Sequence, residues 1–311
     1  MGYNKVINDC MGIKKEESVL ILTDDNKINI AQNLYNEARK ITDNVYMTIM
    51  KPRDVNGEEP PEEIADFMRS VDVVIAPTTV SITHTLARSE ASSSGTRIGS
   101  MPNITEDMFI NGAINADFDI VLKLTEKLSK KLTKAKYARI EKDNKVLEFN
   151  LEDRQGINSP GVYINKKEAG NIPSGEAFIA PVESSVNGEI IIDGSMVGIG
   201  LLENPLYMKI ESGKIVELKG DIENKLDILF ESEENHTIAE LGIGTNPAAR
   251  LTGIILEDEK VFGTVHIAFG TNTSFGGENS ASCHLDGIIL KPTLYLDDEI
   301  IIENGEFKIN Y

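Results

Sequence analysis

Ser18-Val-Leu-Ile-Leu-Thr23 is a short aliphatic run bounded by polar residues, and its length and content read as a buried strand. Ile28 to Lys40 follows with apolar residues at Ile30, Leu34 and Ala38, which is helical spacing. Val45-Tyr-Met-Thr-Ile-Met50 is the next strand. Pro60 to Ser70 opens on prolines and acids, as helix starts often do, and Val71-Asp-Val-Val-Ile-Ala76 is a third strand. Strand, helix, strand at this spacing predicts a parallel sheet with crossover helices. Ligands of such sheets sit beyond the carboxyl ends of the strands, which directs attention to Thr78 to Arg88. The first strand-to-helix turn, Thr23-Asp-Asp-Asn-Lys27, has no G-x-G-x-x-G, so a dinucleotide site of the Rossmann type is disfavoured.

Further along, the patterning changes. Residues 119 to 136 carry Leu122, Leu124, Leu128 and Leu132 in an amphipathic helix that could bridge two domains. Beyond it, short strands are separated by Gly, Asn and Ser turns: Tyr137 to Phe149 reads as a hairpin around Asn144-Lys145, and Glu211-Ser-Gly-Lys214 has hairpin-turn chemistry. A helix is expected at Ile222 to Ser232. At 311 residues two domains are the better expectation: an α/β N-terminal domain with a parallel sheet at 1–136, and a β-rich α+β metal-binding domain at 137–311.

A net charge of −19 repels phosphate, which argues against nucleic acid and anionic membrane as partners. Met1 to Asn8 has no apolar core of signal-peptide length, and no run reaches the roughly 18 apolar residues of a membrane span. A cytoplasmic protein is therefore expected. Two cysteines, Cys10 and Cys283, make no disulfide framework.

The chemistry is concentrated near the C-terminus. Cys283-His284-Leu285-Asp286 follows the glycine-rich run Gly270 to Gly277, and His266 lies just upstream in Gly263-Thr-Val-His-Ile-Ala-Phe-Gly270. His284 and Asp286 are two apart, so on a strand they share a face, where an imidazole and a carboxylate can hold a divalent ion. His266, between Val265 and Ile267, is either a core histidine or a ligand. Glu240, in Ile238-Ala-Glu-Leu-Gly-Ile-Gly244, and Glu176, in Ile172-Pro-Ser-Gly-Glu-Ala-Phe-Ile179, are charges amid apolar and small residues. Each calls for a cation or hydrogen-bond partner if buried. His236, in Glu233-Glu-Asn-His-Thr237, reads as a surface residue, and Glu257 and Glu259 read as part of a solvated turn.

These segments in order, together with Leu256-Glu-Asp-Glu-Lys260 and Ser81-Ile-Thr-His-Thr-Leu-Ala-Arg88, resemble the M29 metallo-aminopeptidases of the aminopeptidase T or leucyl aminopeptidase type. The resemblance implies a homodimeric hydrolase that removes N-terminal residues from peptides. It also implies a centre of two Zn, Co or Mn ions on Glu176, His266, His284 and Asp286, with Glu240 as a fifth ligand or a proton shuttle. The chain departs from the peptidase pattern in having Leu241-Gly-Ile243 where those enzymes have Leu-Gly-Glu. It also has Phe275 in Thr271-Asn-Thr-Ser-Phe275, where they carry a tyrosine. The same superfamily includes an enzyme type resembling 2,5-dihydroxypyridine 5,6-dioxygenase, which implies a small aromatic substrate and one Fe(II) held by two histidines and a carboxylate. In that case His284 and Asp286 supply two ligands, His236 or His266 the third, and His84 is a candidate base. A third possibility is a binding protein that has lost its chemistry, with Ser100 to Met108 shaping a cleft.

Overall fold

The computed structural model describes residues 2–220 and 225–310. The chain divides into two compact units, one of residues up to Phe118 with Gly161–Ser174, the other of Asp119–Pro160 with residues from Gly175 onward.

The first unit is α/β. Its parallel sheet runs in the order Val45–Met50, Val19–Asp24, Val73–Thr78, Arg97–Pro102, Ala169–Asn171. Val19–Asp24 and Val73–Thr78 are buried throughout, as inner strands covered on both faces must be. Both begin after the expected residues because Ser18 does not enter the sheet. Its backbone N–H and hydroxyl donate instead to Asp72 Oδ2 at 2.9 and 2.8 Å. The helices span Ile28–Ala38 and Glu62–Ser70, the second entered from Pro61 with Glu62 and Glu63 in its first turn, where the helix dipole favours acids. A further helix, Leu86–Ser94, is capped by Thr85, whose hydroxyl accepts from Arg88 N. Ser100 to Met108 ends one strand and begins the helix Glu106–Ile110, with Met101, Ile104 and Met108 buried.

The second unit is β-rich. Among its described residues an antiparallel eight-stranded sheet runs from Lys214–Lys219 through Leu206–Glu211, Asn187–Ile192, Lys145–Asn150, Tyr137–Lys142, Thr293–Leu296 and Glu299–Glu303 to Glu306–Phe307. A seven-stranded sheet is ordered Gly200–Leu201, Ser195–Met196, His284–Ile289, Val265–Gly270, Ile238–Gly244, Glu176–Ile179, Ile157–Ser159, and is also antiparallel. The hairpin turn near Tyr137 falls on Asp143 and Asn144, which take φ of 49° and 60°, as a two-residue hairpin turn requires.

The units divide differently from the sequence boundary at 136/137. The helix Phe118–Lys134 belongs, after its first residue, with the β-rich unit, because Leu124, Leu128 and Leu132 lie in that unit's core with Phe149, Leu241 and Phe269. Gly161–Ser174 returns to the α/β unit because Ala169–Asn171 pairs with Arg97–Pro102. Of the helix expected at Ile222 to Ser232, the first three residues lie outside the described residues. The rest shows only a short 3₁₀ turn, Asp227–Phe230. No helix among the described residues is long and apolar enough to cross a membrane.

One ion pair ties down the start of the α/β unit. Arg97, 3 % exposed, donates from Nη1 and Nη2 to the two oxygens of Glu17 at 2.7 and 2.9 Å, and from Nη2 to the Met11 carbonyl. Burial alone pushes the Glu17 carboxyl up, but the Arg97 hydrogen bonds and those of Lys14 N–H outweigh it and hold Glu17 below its ordinary value. A depressed folded-state pKa contributes stability above the unfolded value and loses it as pH falls through the folded one. Glu17→Gln should therefore destabilise the unit by about 3 kcal/mol at pH 7, since it leaves a buried guanidinium without its anion. In urea titrations across pH, the gap between wild type and variant should narrow as pH falls through the depressed folded-state value of Glu17 and close below it. A gap that persists there would contradict the assignment.

Candidate metal centre

The seven-stranded sheet separates its residues by strand alternation. One face carries Ala177, Ile179, Leu241, Ile243, Val265, Ile267, Phe269, Leu285 and Ile289, all in the hydrophobic core. The opposite face carries Glu176, Glu240, His266, His284 and Asp286. Glu240 pairs with Ala268 and Ala268 with Asp286; Gly242 pairs with His266, Gly270 with His284 and Gly244 with Glu176. Functional side chains thus stand beside Gly or Ala, which leaves them room. A β-carbon at Gly242 would lie 1.9 Å from His266 Nε2.

Glu240 reaches this face through a register shift between Ile238 and Glu240. Regular alternation would put both on one face. The extra residue of the bulge reverses the phase, so Ile238 and Leu241 both enter the core while Glu240 turns to the histidines.

The five side chains converge. Glu240 lies between the two imidazoles, with Oε1 3.2 Å from His266 Nε2 and Oε2 3.5 Å from His284 Nε2. His266 Nε2 is 3.5 Å from Glu176 Oε2, and His284 Nε2 is 3.5 Å from Asp286 Oδ1. His284 Nδ1 sits 2.8 Å from the Thr271 carbonyl, so it donates there and turns Nε2 toward the carboxylates. Gly270, at φ 108°, lets the chain double back for this contact, since a β-carbon there would meet the Cys283 carbonyl oxygen at 2.1 Å. Among the described residues three donor groups close to within 4.8 Å: Glu176, Glu240 and His266; Glu240, His284 and Asp286; Glu259, His266 and Asp286. Glu176 Oε2 and Asp286 Oδ1 are buried without a hydrogen-bond partner. Buried oxygens with vacant lone pairs, beside imidazole nitrogens, suit a divalent ion of the Mn, Fe, Co or Zn type.

Electrostatics supports the same reading. Burial opposes charge on His266, but the hydrogen bond it donates to Glu240 and the carboxylates of Glu176 and Glu240 override it and raise the imidazole to about 9. His284 is raised well above its usual value, Asp286 and Glu240 outweighing burial in the same way. Conversely, Glu240 is held low despite burial by its bonds to both histidines. Burial, reinforced by Glu176 and Asp286, pushes the Glu259 carboxyl up to about 8 against the opposing charge of Lys260.

Leu256 to Lys260 is not a solvated turn. Ile255–Asp258 is a single helical turn with Glu257 and Asp258 buried; Glu257 accepts from Arg250, and Asp258 accepts from the Thr252 and Gly253 backbone. Those two carboxylates therefore fix the loop before the turn, while Glu259 and Lys260 face the cluster. Lys260 Nζ lies 2.7 Å from Glu176 Oε1 and 2.5 Å from Glu259 Oε1. Lys260 carried no signal of its own in the sequence, because lysine is ordinarily a surface residue and burial cannot be read from one position.

The remaining candidates lie elsewhere. Ile243 is a core residue on the same face as Leu241, while Glu240 lies on the opposite face with His266. His236 joins none of the three donor groups, and its ring lies 6.1 Å from Phe230. Each group contains one histidine with two carboxylates, so the expected pairing of His284 and Asp286 with a second histidine is replaced by a pairing with Glu240. His84 is exposed in the turn before Leu86–Ser94, in the α/β unit, next to Thr85, which caps that helix. Phe275 packs edge-on against both His284 and Phe178, with ring centroids at 5.9 and 5.3 Å. Ser282 donates to Asn235 Oδ1 and so fixes the loop.

An α/β unit joined to a β-rich unit that gathers carboxylates and imidazoles on one sheet face defines a metalloenzyme-like architecture. Residues 2–309 match the family described as NicX, 2,5-dihydroxypyridine 5,6-dioxygenase, and the chain belongs to that family. It is 29% identical over 153 residues to 2,5-dihydroxypyridine 5,6-dioxygenase of Pseudomonas putida, a stretch covering 43% of each protein. The match therefore spans less than half of that relative's length. In fold it is similar to the solved structure of 2,5-dihydroxypyridine dioxygenase from Pseudomonas putida, with a TM-score of 0.81 and 17% identity over 98% of this chain and 95% of that one. It is also similar to AmpT from Thermus thermophilus, with a TM-score of 0.73 and 14% identity over 99% of each chain. At such identities the structural likeness speaks for the fold alone.

Gly242→Ala tests the geometry. The added methyl group must displace the His266 ring, costing about 2 kcal/mol of stability and weakening divalent-ion binding by roughly tenfold or more. Urea unfolding and calorimetric titration with Zn(II) measure the two effects. An unchanged affinity would mean that His266, 3.2 Å from Glu240 Oε1, does not help to position Glu240 for the ion.

Proposed function

We propose that this protein is a metal-dependent dioxygenase that opens a hydroxylated nitrogen-heteroaromatic ring, with an Fe(II) ion held by Glu240, His284 and Asp286. The observation that carries this reading is the accessibility of that group in a chain belonging to the dioxygenase family: the His284 side chain is 24 % exposed, whereas that of His266 is 0 % exposed. A small substrate reaches the first imidazole and not the second. A bound ferrous ion supplies the place where dioxygen and the ring hydroxyl meet.

The chain's own residues do the rest. The Thr271 carbonyl fixes the His284 ring, so that Nε2 rather than Nδ1 is presented. Asp286 and Glu240 offer carboxylate oxygens on either side of that nitrogen. Phe275, edge-on to His284, supplies an apolar wall against which an aromatic ring can lie, where a tyrosine would bring a hydroxyl.

A second reading rests on one specific observation. Glu240 touches both imidazoles, so two donor groups share it as two ions share a bridging carboxylate, which suits a two-ion hydrolase cleaving peptides from a free N-terminus.

Metal analysis with substrate assays separates the two. We expect one Fe per chain after anaerobic loading, and oxygen uptake matched by loss of 2,5-dihydroxypyridine or a related hydroxylated ring. His284→Ala and Asp286→Ala should each slow the reaction by roughly a thousandfold, equivalent to about 4 kcal/mol. Two ions per chain, with peptide cleavage and no oxygen uptake, would replace the first reading by the second.

A further inference from the structure

The donor groups overlap, yet they are not equivalent, and a side chain outside all of them makes the difference. Lys260 is fully buried and lies beside the cluster. Its Nζ bridges Glu176 Oε1 and Glu259 Oε1 at 2.7 and 2.5 Å. The ammonium thus sits between two carboxylate groups that offset its burial. Of the three groups, one contains Glu176 and another contains Glu259. Each therefore has a carboxylate already engaged by an ammonium. Only Glu240, His284 and Asp286 have no member in contact with Lys260.

We infer that Lys260 is a resident cation occupying the electrostatic role of a second metal ion, and that it limits the centre to one divalent ion. The inference rests on the metal-centre reading above and concerns how many ions the centre takes. Coulomb's law gives the reason. A divalent ion in either of the other groups would lie a few ångströms from a buried ammonium and compete with it for the same carboxylates, and like charges at such range repel by several kcal/mol at the effective dielectric of a protein site. Removing the ammonium reverses the balance, since Glu176 and Glu259 are then buried carboxyl groups without a cation. A second ion is the natural replacement.

Zn(II) alone is the probe, with bound metal counted by equilibrium dialysis and elemental analysis on the full-length protein. Wild type should bind one Zn(II) per chain up to tenfold excess, and His284→Ala none. Lys260→Met should bind two, and Lys260→Met combined with His284→Ala should bind one, held by Glu176, Glu240 and His266. Lys260→Arg, which keeps the charge, should return the count to one. Lys260→Gln, which keeps hydrogen-bonding capacity in place of charge, serves where the methionine variant does not fold, and it should also bind two. Two Zn(II) bound by wild type, or one bound by folded Lys260→Met or Lys260→Gln, would overturn the inference while leaving a metal centre intact. No Zn(II) bound by wild type would overturn the metal-centre reading itself.

Discussion

The structure of the β-rich unit depends on how it tolerates four carboxyl groups, Glu176, Glu240, Glu259 and Asp286, close together beneath its surface. Each is costly to bury alone, and together they repel. The chain sets against them the Lys260 ammonium and the imidazoles of His266 and His284, whose raised proton affinities are the other side of the same attraction. Buried ion pairs of this kind add little net stability, but removing one partner leaves a bare buried charge and costs several kcal/mol. The arrangement is therefore better understood as a device for holding a site ready than as a source of stability.

The seven-stranded sheet makes that device possible by using its two faces for opposite purposes. One face supplies core residues such as Leu241, Ile267 and Phe269, which anchor the strands, and the other supplies donors separated by Gly242, Ala268 and Gly270. The small residue matters most at Gly242, where a β-carbon would lie 1.9 Å from His266 Nε2; on its other side His266 pairs with Ile288. The core face thus fixes the backbone on which the metal face depends. The α/β unit is built on a different logic, with a parallel sheet whose inner strands are buried on both sides and whose first strand-to-helix turn lacks the glycines that cradle a dinucleotide.

Much of the site was legible because strand periodicity is local. His284 and Asp286 could be placed on one face from their spacing, and Glu176 and Glu240 were conspicuous as charges in apolar company. The histidines were harder. His266 stands between Val265 and Ile267 and His236 in a polar run, but that contrast does not tell a ligand from a core histidine, and of His84, His236 and His266 it is His266 that faces the carboxylates. Ile243 stands where the peptidase resemblance implies a carboxylate, and it is a core residue because it shares a strand face with Leu241, while the bulge between Ile238 and Glu240 turns Glu240 to the other face. Glu259 and Lys260 were read as part of a solvated turn, since a run of four charges ordinarily is one.

What the sequence determined by itself was the class of each half and the chemistry available to it. Short aliphatic runs alternating with helical spacing specify a parallel α/β sheet, and short alternating strands with Gly and Asn turns specify antiparallel sheets, because both signals depend on neighbours within a few residues. Which charges would meet was decided only by the tertiary structure. Glu176, Glu240, Lys260 and His284 come from four separate segments, and their contacts depend on strand order, on one extra residue in a bulge and on the burial of a lysine. All three are set by how the sheet packs on its core, and none leaves a mark on the local sequence.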